Sequence, residues 1–297
     1  EVRNKFFGTL YNTYGFFSLY ANLDDFDYSE ADIPSEKRPE IDRWILSELN
    51  TLIAEVDAAY AEYEPTRAAR AISTFVQENL SNWFVRLSRR RYWKGSYGED
   101  KISAYQTLYK CLVTVAQLGA PIAPFFMERL YKDITEGVAI DVPESVHLSK
   151  FPKADTSLVN KTLERKMQRA QTISSLVLSL RQREKIKVRQ PLQKIMVPVL
   201  DEATKSEIEA VAELIMSEVN VKEVELIDEG SGILVKQIKP DFKKLGPRFG
   251  KDMKAVAAVI QQFDQEEIAT LENEQEISVK VNEKNTTLTL DDVIISS

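Results

Sequence analysis

The stretch IDRWILSELNTLIAEV, residues 41–56, decides the fold class of the first half of the chain. Its apolar side chains recur every three or four positions, which places them along one face of an α-helix. These apolar positions are Trp44, Leu46, Leu49, Leu52, Ile53 and Val56. The pattern therefore predicts an amphipathic helix that buries one stripe against a core.

Helical spacing extends outward from this stretch over the first half of the sequence. Similar apolar stripes lie within residues 68–80 and 108–118. Proline and glycine interrupt the pattern at several joints, and the two prolines of residues 119–131 predict a loop or kink that enters another helix. The joints are PSEKRPE from Pro34, EYEPTR from Glu62 and KGSYGED from Lys94. We predict a helical bundle of about four or five helices over residues 1–155.

In the second half of the chain the apolar residues no longer keep helical spacing throughout. Short β-branched runs typical of strands are KIMVPVL from Lys194, VKEVELI from Val221 and GILVKQI from Gly232. We also predict a helix over residues 206–219, a hairpin in EISVKVNEKNTTLTL from Glu276, and a Gly/Pro turn in LGPRFGK before a helix capped by Asp252. The fold is therefore expected to be mainly α. A smaller mixed α/β domain over residues 156–297 follows the bundle and is entered by a long helix near 156–184.

Charge is abundant but unevenly distributed along the chain. The 297 residues include 39 basic and 46 acidic side chains, and the formal net charge of −7 excludes a uniformly basic nucleic-acid coat. Acidic residues dominate 20–64 and 201–230, whereas basic residues dominate 81–110 and 161–196. Any anion site must therefore be local, although a solvated surface would also account for each block taken alone.

Few residues carry catalytic or metal-binding chemistry. The single cysteine, Cys111, lies on an apolar helical face and excludes a disulfide framework or a multi-cysteine zinc site. The single histidine, His147, excludes a histidine-rich metal site, and the sequence has no nucleotide-loop or nucleophile-elbow motif. We therefore predict no metal and no catalytic residue. An enzyme with an unfamiliar site at His147 is the alternative.

The apolar segments are too short to suggest a membrane span. The longest, residues 112–127, is broken by a glutamine and two prolines. The first residues lack the basic start and small-residue cleavage site of a signal peptide. The missing initiator methionine suggests a piece of a longer chain. We expect a monomeric, cytoplasmic protein without membrane contact.

The segment SNWFVRLSRRRYW, residues 81–93, combines four arginines with two tryptophans. On a helix, the buried stripe is predicted to hold Leu80, Trp83, Phe84 and Leu87. The opposite face is predicted to hold Asn82, Arg86, Arg89 and Trp93, with Arg90 at its edge. Guanidinium groups beside an exposed indole suit phosphate contact and base stacking. Alternatively, the arginines pair with the acidic block and Trp93 closes the end of the bundle.

Arg91 differs from its neighbours because it falls in line with the apolar stripe. We predict that it forms a partly buried ion pair with an acidic helix. A second basic cluster lies in RQREKIKVRQPLQK, where cations occupy nearly every other position from Arg181 to Arg189. If the segment from Lys185 is extended, several of these cations would lie on one side as a rail for a polyanion, or as a solvated edge that discourages strand pairing. A third, weaker candidate is the group of cations around LGPRFGK, because a glycine-rich turn before a helix can bind phosphate, but the segment lacks the spacing of a nucleotide loop and a turn-forming role is favoured. These cations are Lys243, Lys244, Arg248 and Lys251.

Six segments of the chain, in order, resemble the isoleucyl-tRNA synthetases, a family of class I aminoacyl-tRNA synthetases. The segments are IDRWILSELN, LSNWFVRLSRRRYW, LYKCLVTVAQLGAPIAPFFMERLY, ESVHLSKFP, KIKVRQPLQKIMVPV and LGPRFGKDMKAV. They span almost the whole chain and are similar to the C-terminal portion of that family. Valyl-tRNA synthetases share some of these motifs but are expected to end in a coiled coil, so the mixed α/β end favours isoleucine.

The resemblance implies that residues 1–155 form the anticodon-binding bundle and that the rest approaches tRNA as an appendage. The family's HIGH-type and KMSKS-type catalytic motifs do not occur in the sequence. Part of the family also ends in a cysteine-rich zinc module, which one cysteine cannot form, so the chain resembles the other branch. We therefore expect a chain that binds isoleucine tRNA without a cofactor. We do not expect it to aminoacylate alone, because ATP and Mg²⁺ belong to the family's catalytic domain.

Under this interpretation both basic segments contact tRNA. Stem phosphates set the register, whereas unstacked loop bases are recognised by stacking and edge hydrogen bonds. The predicted tRNA-binding residues are Asn82, Arg86, Arg89, Arg90, Trp93, Lys94, Lys185, Lys187 and Arg189. A helical module that binds an acidic protein through its basic stripe is the alternative.

Overall fold

The computed structural model describes residues 3–94, 96–199, 201–227, 237–281 and 284–296. The chain forms two compact units, Glu1–Arg169 and Ala170–Ser297. The division falls inside a long helix, whereas the domain boundary expected at residue 155 precedes that helix. The boundary at 155 stays a prediction.

The first unit is helical, as the periodicity of its sequence predicts. Its α-helices are α1 (Gly8–Leu23), α2 (Glu40–Ala61), α3 (Pro65–Thr74), α4 (Arg86–Trp93), α5 (Glu99–Gly119) and α6 (Pro124–Thr135), and α7 (Lys161–Arg183) begins in it. Residues Arg3–Phe7 and Phe75–Val85 are π-helical, and 3₁₀ turns lie at Ser35–Lys37, Val146–Leu148 and Thr156–Leu158. Pro65 and Pro124 occupy the first turn of their helices, where a missing N–H breaks no helical hydrogen bond. The predicted interruption before α6 is therefore confirmed.

The apolar stripe of residues 41–56 forms a central part of the first unit's core. Trp44, Ile45 and Val56 are fully buried on α2, and α5 buries Leu108 and Leu112 equally. The two helices pack against each other. The π-helical segment before α4 packs against α1 and α2, and α4 packs against α5. The π-helical segment and α4 are thus both held against the core of the first unit.

The second unit is built from short strands and helices, which confirms the predicted small mixed α/β part. Its strands are β1 (Ile195–Pro198), β2 (Val224–Ile227), β3 (Gln237–Pro240), β4 (Glu276–Val281), β5 (Lys284–Thr289) and β6 (Val293–Ser296). Its remaining helices are α8 (Glu202–Glu209), α9 (Ala212–Val219), α10 (Phe242–Phe249), α11 (Met253–Gln261) and α12 (Gln265–Glu274). β1 pairs with β2 in parallel, and β3–β6 and β4–β5 are antiparallel pairs. The predicted hairpin is thus the β4–β5 pair.

Some local predictions in the second unit are wrong. Residues 206–219 fall in two helices, α8 and α9, instead of one. LGPRF lies inside α10 and not in a turn, because the Asp241 side chain accepts a hydrogen bond from the backbone N–H of Lys243 at 3.0 Å and starts the helix earlier. Gly250, with a φ of 45°, ends that helix. Most of the strand predicted over 232–238 lies outside the described residues.

None of the helices in the described ranges is both long enough and apolar enough to cross a membrane.

Candidate nucleic-acid interface

The segment SNWFVRLSRRRYW lies on one continuous helical run, from the π-helical Phe75–Val85 into α4. Leu80 and Phe84 are fully buried and Trp83 is 7% exposed, as the spacing predicts. Leu87 is only partly buried, however, and Val85 is buried. The predicted stripe is wrong at Leu87, because a π-helical turn contains more residues than an α-helical turn and so shifts the faces.

The other side of this run is open to solvent. The exposed residues on it are Asn82, Arg86, Arg89, Arg90, Trp93 and Lys94. Asn82, Arg86, Arg89 and Trp93 follow one another at steps of four, three and four residues. This spacing keeps these four residues near one face of the helix. Trp93 is 54% exposed, so its indole is accessible for stacking. All six predicted residues are therefore exposed along this run or at its end, and four of them share one face. We call these six residues the arginine face.

Arg86 is held in place by its own helix. Its Nε donates to the carbonyl oxygen of Asn82 at 2.6 Å, and its guanidinium carbon lies 5.7 Å from the centroid of the Trp83 ring. A guanidinium fixed by a backbone acceptor and an aromatic ring has less freedom to lose when it binds an anion. The side chain is thus partly ordered for binding.

Arg91 is half-buried, unlike the exposed arginines beside it, and it pairs with α2, which confirms the predicted partly buried ion pair with an acidic helix. Its Nη1 lies 2.6 Å from Asp42 Oδ1 in the first turn of α2, and its Nη2 lies 2.9 Å from Asp100 Oδ1. The Asp42 side chain is completely buried and also accepts a hydrogen bond from Ser103 Oγ at 2.6 Å. Burial alone would lower the pKa of the Arg91 guanidinium, but its hydrogen bonds and charge interactions with both carboxylates raise it.

Part of the first acidic block is also paired inside the unit. Lys101 Nζ lies 2.8 Å from Asp24 Oδ2, and Asp32 pairs with buried Arg38 at 3.0 Å and with Lys110 at 2.6 Å. Burial raises the pKa of Asp24, but hydrogen bonds from Lys101 and a neighbouring tyrosine outweigh it and lower that pKa. These carboxylates therefore anchor the segment between α1 and α2 to α5, instead of forming a freely solvated acidic surface.

The second basic segment is a loop and not an extended strand. α7 ends at Arg183, and turns occupy residues 184–185 and 188–189, with Lys185 in the left-handed region at a φ of 58°. We call residues 184–190 the basic loop. Its cations Lys185, Lys187 and Arg189 are all exposed. Arg181 is only 3% exposed, so it is not part of the predicted rail of cations. The alternating pattern fails here because the backbone turns.

Two of the cations around LGPRFGK are paired with carboxylates. Lys244 Nζ lies 3.0 Å from Asp291 Oδ1, and Arg248 Nη1 lies 2.8 Å from Asp292 Oδ2. These pairs join α10 to the turn before β6. The segment thus has a structural role, although in a helix and not in the predicted turn.

Other chemistry is sparse in the part of the chain that the structure describes. No group of three or more His, Cys, Asp or Glu side chains in that part is placed to hold a metal ion. Cys111 is fully buried, which confirms its predicted place in the core, and burial raises the pKa of its thiol. His147 is exposed in a 3₁₀ turn, where its backbone N–H donates to Ser145 Oγ at 3.2 Å. The arginine face and the basic loop remain the best supported binding surfaces.

Comparison with known proteins places these surfaces in a family. Residues 42–196 match the family described as the anticodon-binding domain of tRNA ligase. The matched range includes the whole arginine face and the loop with Lys185, Lys187 and Arg189. Both candidate surfaces therefore lie within the part of the chain that the family covers.

Isoleucine–tRNA ligases of several bacteria are similar to this chain. The Bacteroides fragilis protein is 62% identical over 272 residues, which cover 92% of this chain and 24% of that protein. The Bacteroides thetaiotaomicron protein is 58% identical over 297 residues, which cover 100% of this chain and 26% of that protein. The Thermus thermophilus protein is 36% identical over 297 residues, which cover 100% of this chain and 28% of that protein.

The chain thus spans about a quarter of the length of these relatives. Their names agree with the resemblance that the six sequence segments indicate, and the matched range contains the helices that form the arginine face. The resemblance to the isoleucyl-tRNA synthetases is confirmed, and the chain belongs to the anticodon-binding domain family of tRNA ligases.

Proposed function

We propose that this chain binds the anticodon stem-loop of isoleucine tRNA. As part of an isoleucine–tRNA ligase, it would orient that tRNA for ATP-dependent aminoacylation in another region of the longer protein. The observation that carries the proposal is the arginine face, an exposed cationic and aromatic surface on an anticodon-binding domain. The ATP and Mg²⁺ of the reaction are assigned to that other region, and no residue of this chain is given a role toward them.

The side chains of the arginine face suit the two kinds of contact that RNA requires. Arg86, Arg89, Arg90 and Lys94 supply cations for phosphates of the stem, where a guanidinium can donate two parallel hydrogen bonds. Trp93 supplies an exposed ring for stacking on an unpaired base. The chain as a whole is acidic, so binding must depend on this local surface rather than on net charge.

The basic loop is proposed as a second contact with tRNA. Lys185, Lys187 and Arg189 are exposed within a few residues of one another, and they would hold RNA backbone without recognising sequence. The internal pairing of Asp24, Asp32 and Asp42 reduces the like-charge repulsion that an open acidic surface would exert on RNA.

Binding to isoleucine tRNA and to valine tRNA, each with its own and with exchanged anticodons, tests the proposal directly. We expect tighter binding to isoleucine tRNA, and we expect exchange of the anticodon to transfer part of that preference. Equal affinity for both tRNAs would leave the family assignment intact but would contradict recognition by this chain. Competition by an acidic protein but not by tRNA would favour the protein-interaction alternative.

A salt titration tests the arginine face itself. If several phosphates are contacted, the logarithm of the association constant falls linearly with the logarithm of salt concentration, and Arg89→Ala should reduce the slope by about one unit. Arg129→Ala is the matched control, because Arg129 is an exposed arginine on α6 that pairs with Asp133. A slope that Arg89→Ala leaves unchanged removes Arg89 from the interface.

A further inference from the structure

Arg181 is buried although it lies in the most basic segment of the second unit. It belongs to the last turn of α7 and is 3% exposed. Its Nη1 donates to the carbonyl oxygens of Lys187 at 3.2 Å and Gln190 at 3.0 Å, and its Nη2 donates to the carbonyl oxygen of Asn220 at 3.0 Å. One side chain therefore links the end of α7, the basic loop and the residue that follows α9.

Asn220 completes the attachment of the loop from the other side. Its Nδ2 donates to the carbonyl oxygen of Val188 at 2.8 Å, and its backbone is left-handed at a φ of 52°. The backbone N–H of Leu192 donates to the carbonyl oxygen of Asn220 at 3.1 Å. The loop is thus fixed at Lys187, Val188 and Gln190 by acceptors that all belong to the main chain.

Main-chain acceptors have a specific consequence for the loop's own side chains. We call the hydrogen bonds of the Arg181 and Asn220 side chains to main-chain carbonyl oxygens the clamp. The clamp fixes the path of the backbone without involving the side chains of Lys185, Lys187 or Arg189, and all three residues stay exposed. At Lys187 the carbonyl oxygen faces the buried guanidinium while the ammonium remains accessible. The loop is therefore ordered and cationic at the same time.

We propose that Arg181 is a positioning residue that holds the loop 184–190 in order so that Lys185, Lys187 and Arg189 are presented to RNA. This inference rests on the proposed function for the identity of the polyanion. A loop that is ordered before binding loses less backbone and side-chain freedom on association, so its cations contribute more to affinity. Arg181 itself contacts no phosphate.

The role requires an arginine rather than only a positive charge. A guanidinium has five N–H donors in a rigid fork and can serve three carbonyl oxygens at fixed positions, whereas an ammonium is a compact point charge on a flexible stem. Arg181→Lys therefore preserves the charge and removes the clamp. Arg183→Lys is the matched control, because that side chain is 71% exposed and pairs with Glu184 at 3.0 Å.

Limited trypsin digestion of the chain without RNA tests the clamp. We expect Arg181→Lys to accelerate cleavage after Lys185, Lys187 and Arg189 by about tenfold, because local opening exposes the loop backbone. Cleavage sites in the first unit and the Arg183→Lys chain should show the parent rates. Unchanged loop cleavage in Arg181→Lys overturns the proposal.

A second variant keeps the test decisive if Arg181→Lys does not fold. Asn220→Gly retains the left-handed backbone, which glycine adopts readily, and removes the amide that donates to Val188. It should accelerate cleavage at the same three positions while the thermal unfolding midpoint of the first unit stays unchanged. Parent rates at those positions in this variant contradict the inference.

A double-mutant cycle on tRNA binding tests presentation of the cations. We expect Arg181→Lys to weaken binding about fivefold without changing the salt slope, because the buried side chain neutralises no phosphate. In a chain with Lys185→Ala, Lys187→Ala and Arg189→Ala, the same replacement should have no further effect. A full additional loss in that background overturns a role through the loop.

The two readouts also separate this inference from the proposed function. Faster loop cleavage with unchanged tRNA affinity overturns presentation by Arg181, while the arginine face still accounts for binding. A parent chain that does not bind tRNA instead contradicts the proposed function, and the digestion experiment then still reports on the clamp.

Discussion

The two basic segments of this chain each withdraw one arginine from solvent and expose the others, Arg91 being half-buried and Arg181 buried, but these two arginines have different partners. In the helical segment, Arg91 pairs with the carboxylates of Asp42 and Asp100 at 2.6 and 2.9 Å. In the loop segment, Arg181 donates to main-chain carbonyl oxygens. A guanidinium removed from water needs acceptors for its donors, and either opposite charge or an ordered backbone can provide them. At Arg181 the backbone serves Nη1 and Nη2, whereas Nε has no partner among the described residues.

This difference indicates which property each arginine supports. Arg91 is tied to α2 and α5, so its loss should affect the stability of the first unit. Arg181 is tied mainly to a surface loop, so its loss should affect local order more than global stability. The exposed arginines beside them should affect neither, and their contribution should be to binding.

The largest expected effect is on the ion pair between Arg91 and the buried Asp42. Arg91→Met leaves the carboxylate of Asp42 buried without its guanidinium, and we expect the free energy of unfolding to fall by about 3–5 kcal/mol. Arg89→Met, on the exposed side of the same helix, should change it by less than about 0.5 kcal/mol. Chemical denaturation of both variants measures the difference, and similar losses would show that position on the helix does not separate the two roles.

The two tryptophans of the helical segment should differ in the same way. Trp83 is 7% exposed, so Trp83→Ala should lower the free energy of unfolding by about 3 kcal/mol through lost burial and a cavity. Trp93 is 54% exposed, and Trp93→Ala should leave stability nearly unchanged. Trp93→Ala should instead weaken tRNA binding about tenfold, because stacking on one base contributes on the order of 1–3 kcal/mol. Thermal unfolding and tRNA titration of each variant give the comparison, and a stability loss at Trp93 would place its indole in the core instead.

The sequence predicts those features of the fold and the candidate site that follow the regular spacing of a single helix. Helical spacing predicts the first unit, the burial of Trp83 and the separate place of Arg91, since a helix repeats regularly along the chain. It fails at Leu87, where the preceding π-helical turns shift the faces.

The basic loop shows where such prediction ends. The alternating cations from Arg181 to Arg189 gave no sign that Arg181 is buried, and one acceptor of that arginine is the carbonyl of Asn220, 39 residues away along the chain. A main-chain acceptor leaves no side-chain signature in the sequence, so neither the clamp nor the part of Asn220 in it could be found before the structure. Asp42 was missed for a related reason, because many acidic residues of its block could have matched Arg91 equally well.

The helix α2 extends the comparison to carboxylates. Its Asp42 is buried and has an arginine partner, whereas its Glu48 is half-buried and has none among the described residues. Asp42 faces Arg91, whereas Glu48 accepts a hydrogen bond from Trp44 Nε1 at 3.1 Å and is influenced by the charge of Glu164. Burial first, and the neighbouring carboxylate second, raise the pKa of Glu48 from an ordinary value of 4.5 to about 7. The half-buried carboxylate of Glu48, which has no guanidinium partner among the described residues, is therefore expected to destabilise the fold when it ionises.

The smallest effect we predict follows from the sign of this shift. Because the folded chain holds the Glu48 proton more tightly than the unfolded chain, stability should fall as the pH rises from 4.5 to about 7. Glu48→Gln removes that loss, so it should stabilise the chain at pH 8 by on the order of 1 kcal/mol and should have little effect at pH 4. Glu55→Gln, an exposed position on the same helix, is the control. Denaturant unfolding at both pH values checks the prediction, and a stabilisation by Glu48→Gln that is equal at pH 4 and pH 8 would mean that ionisation is not its cause.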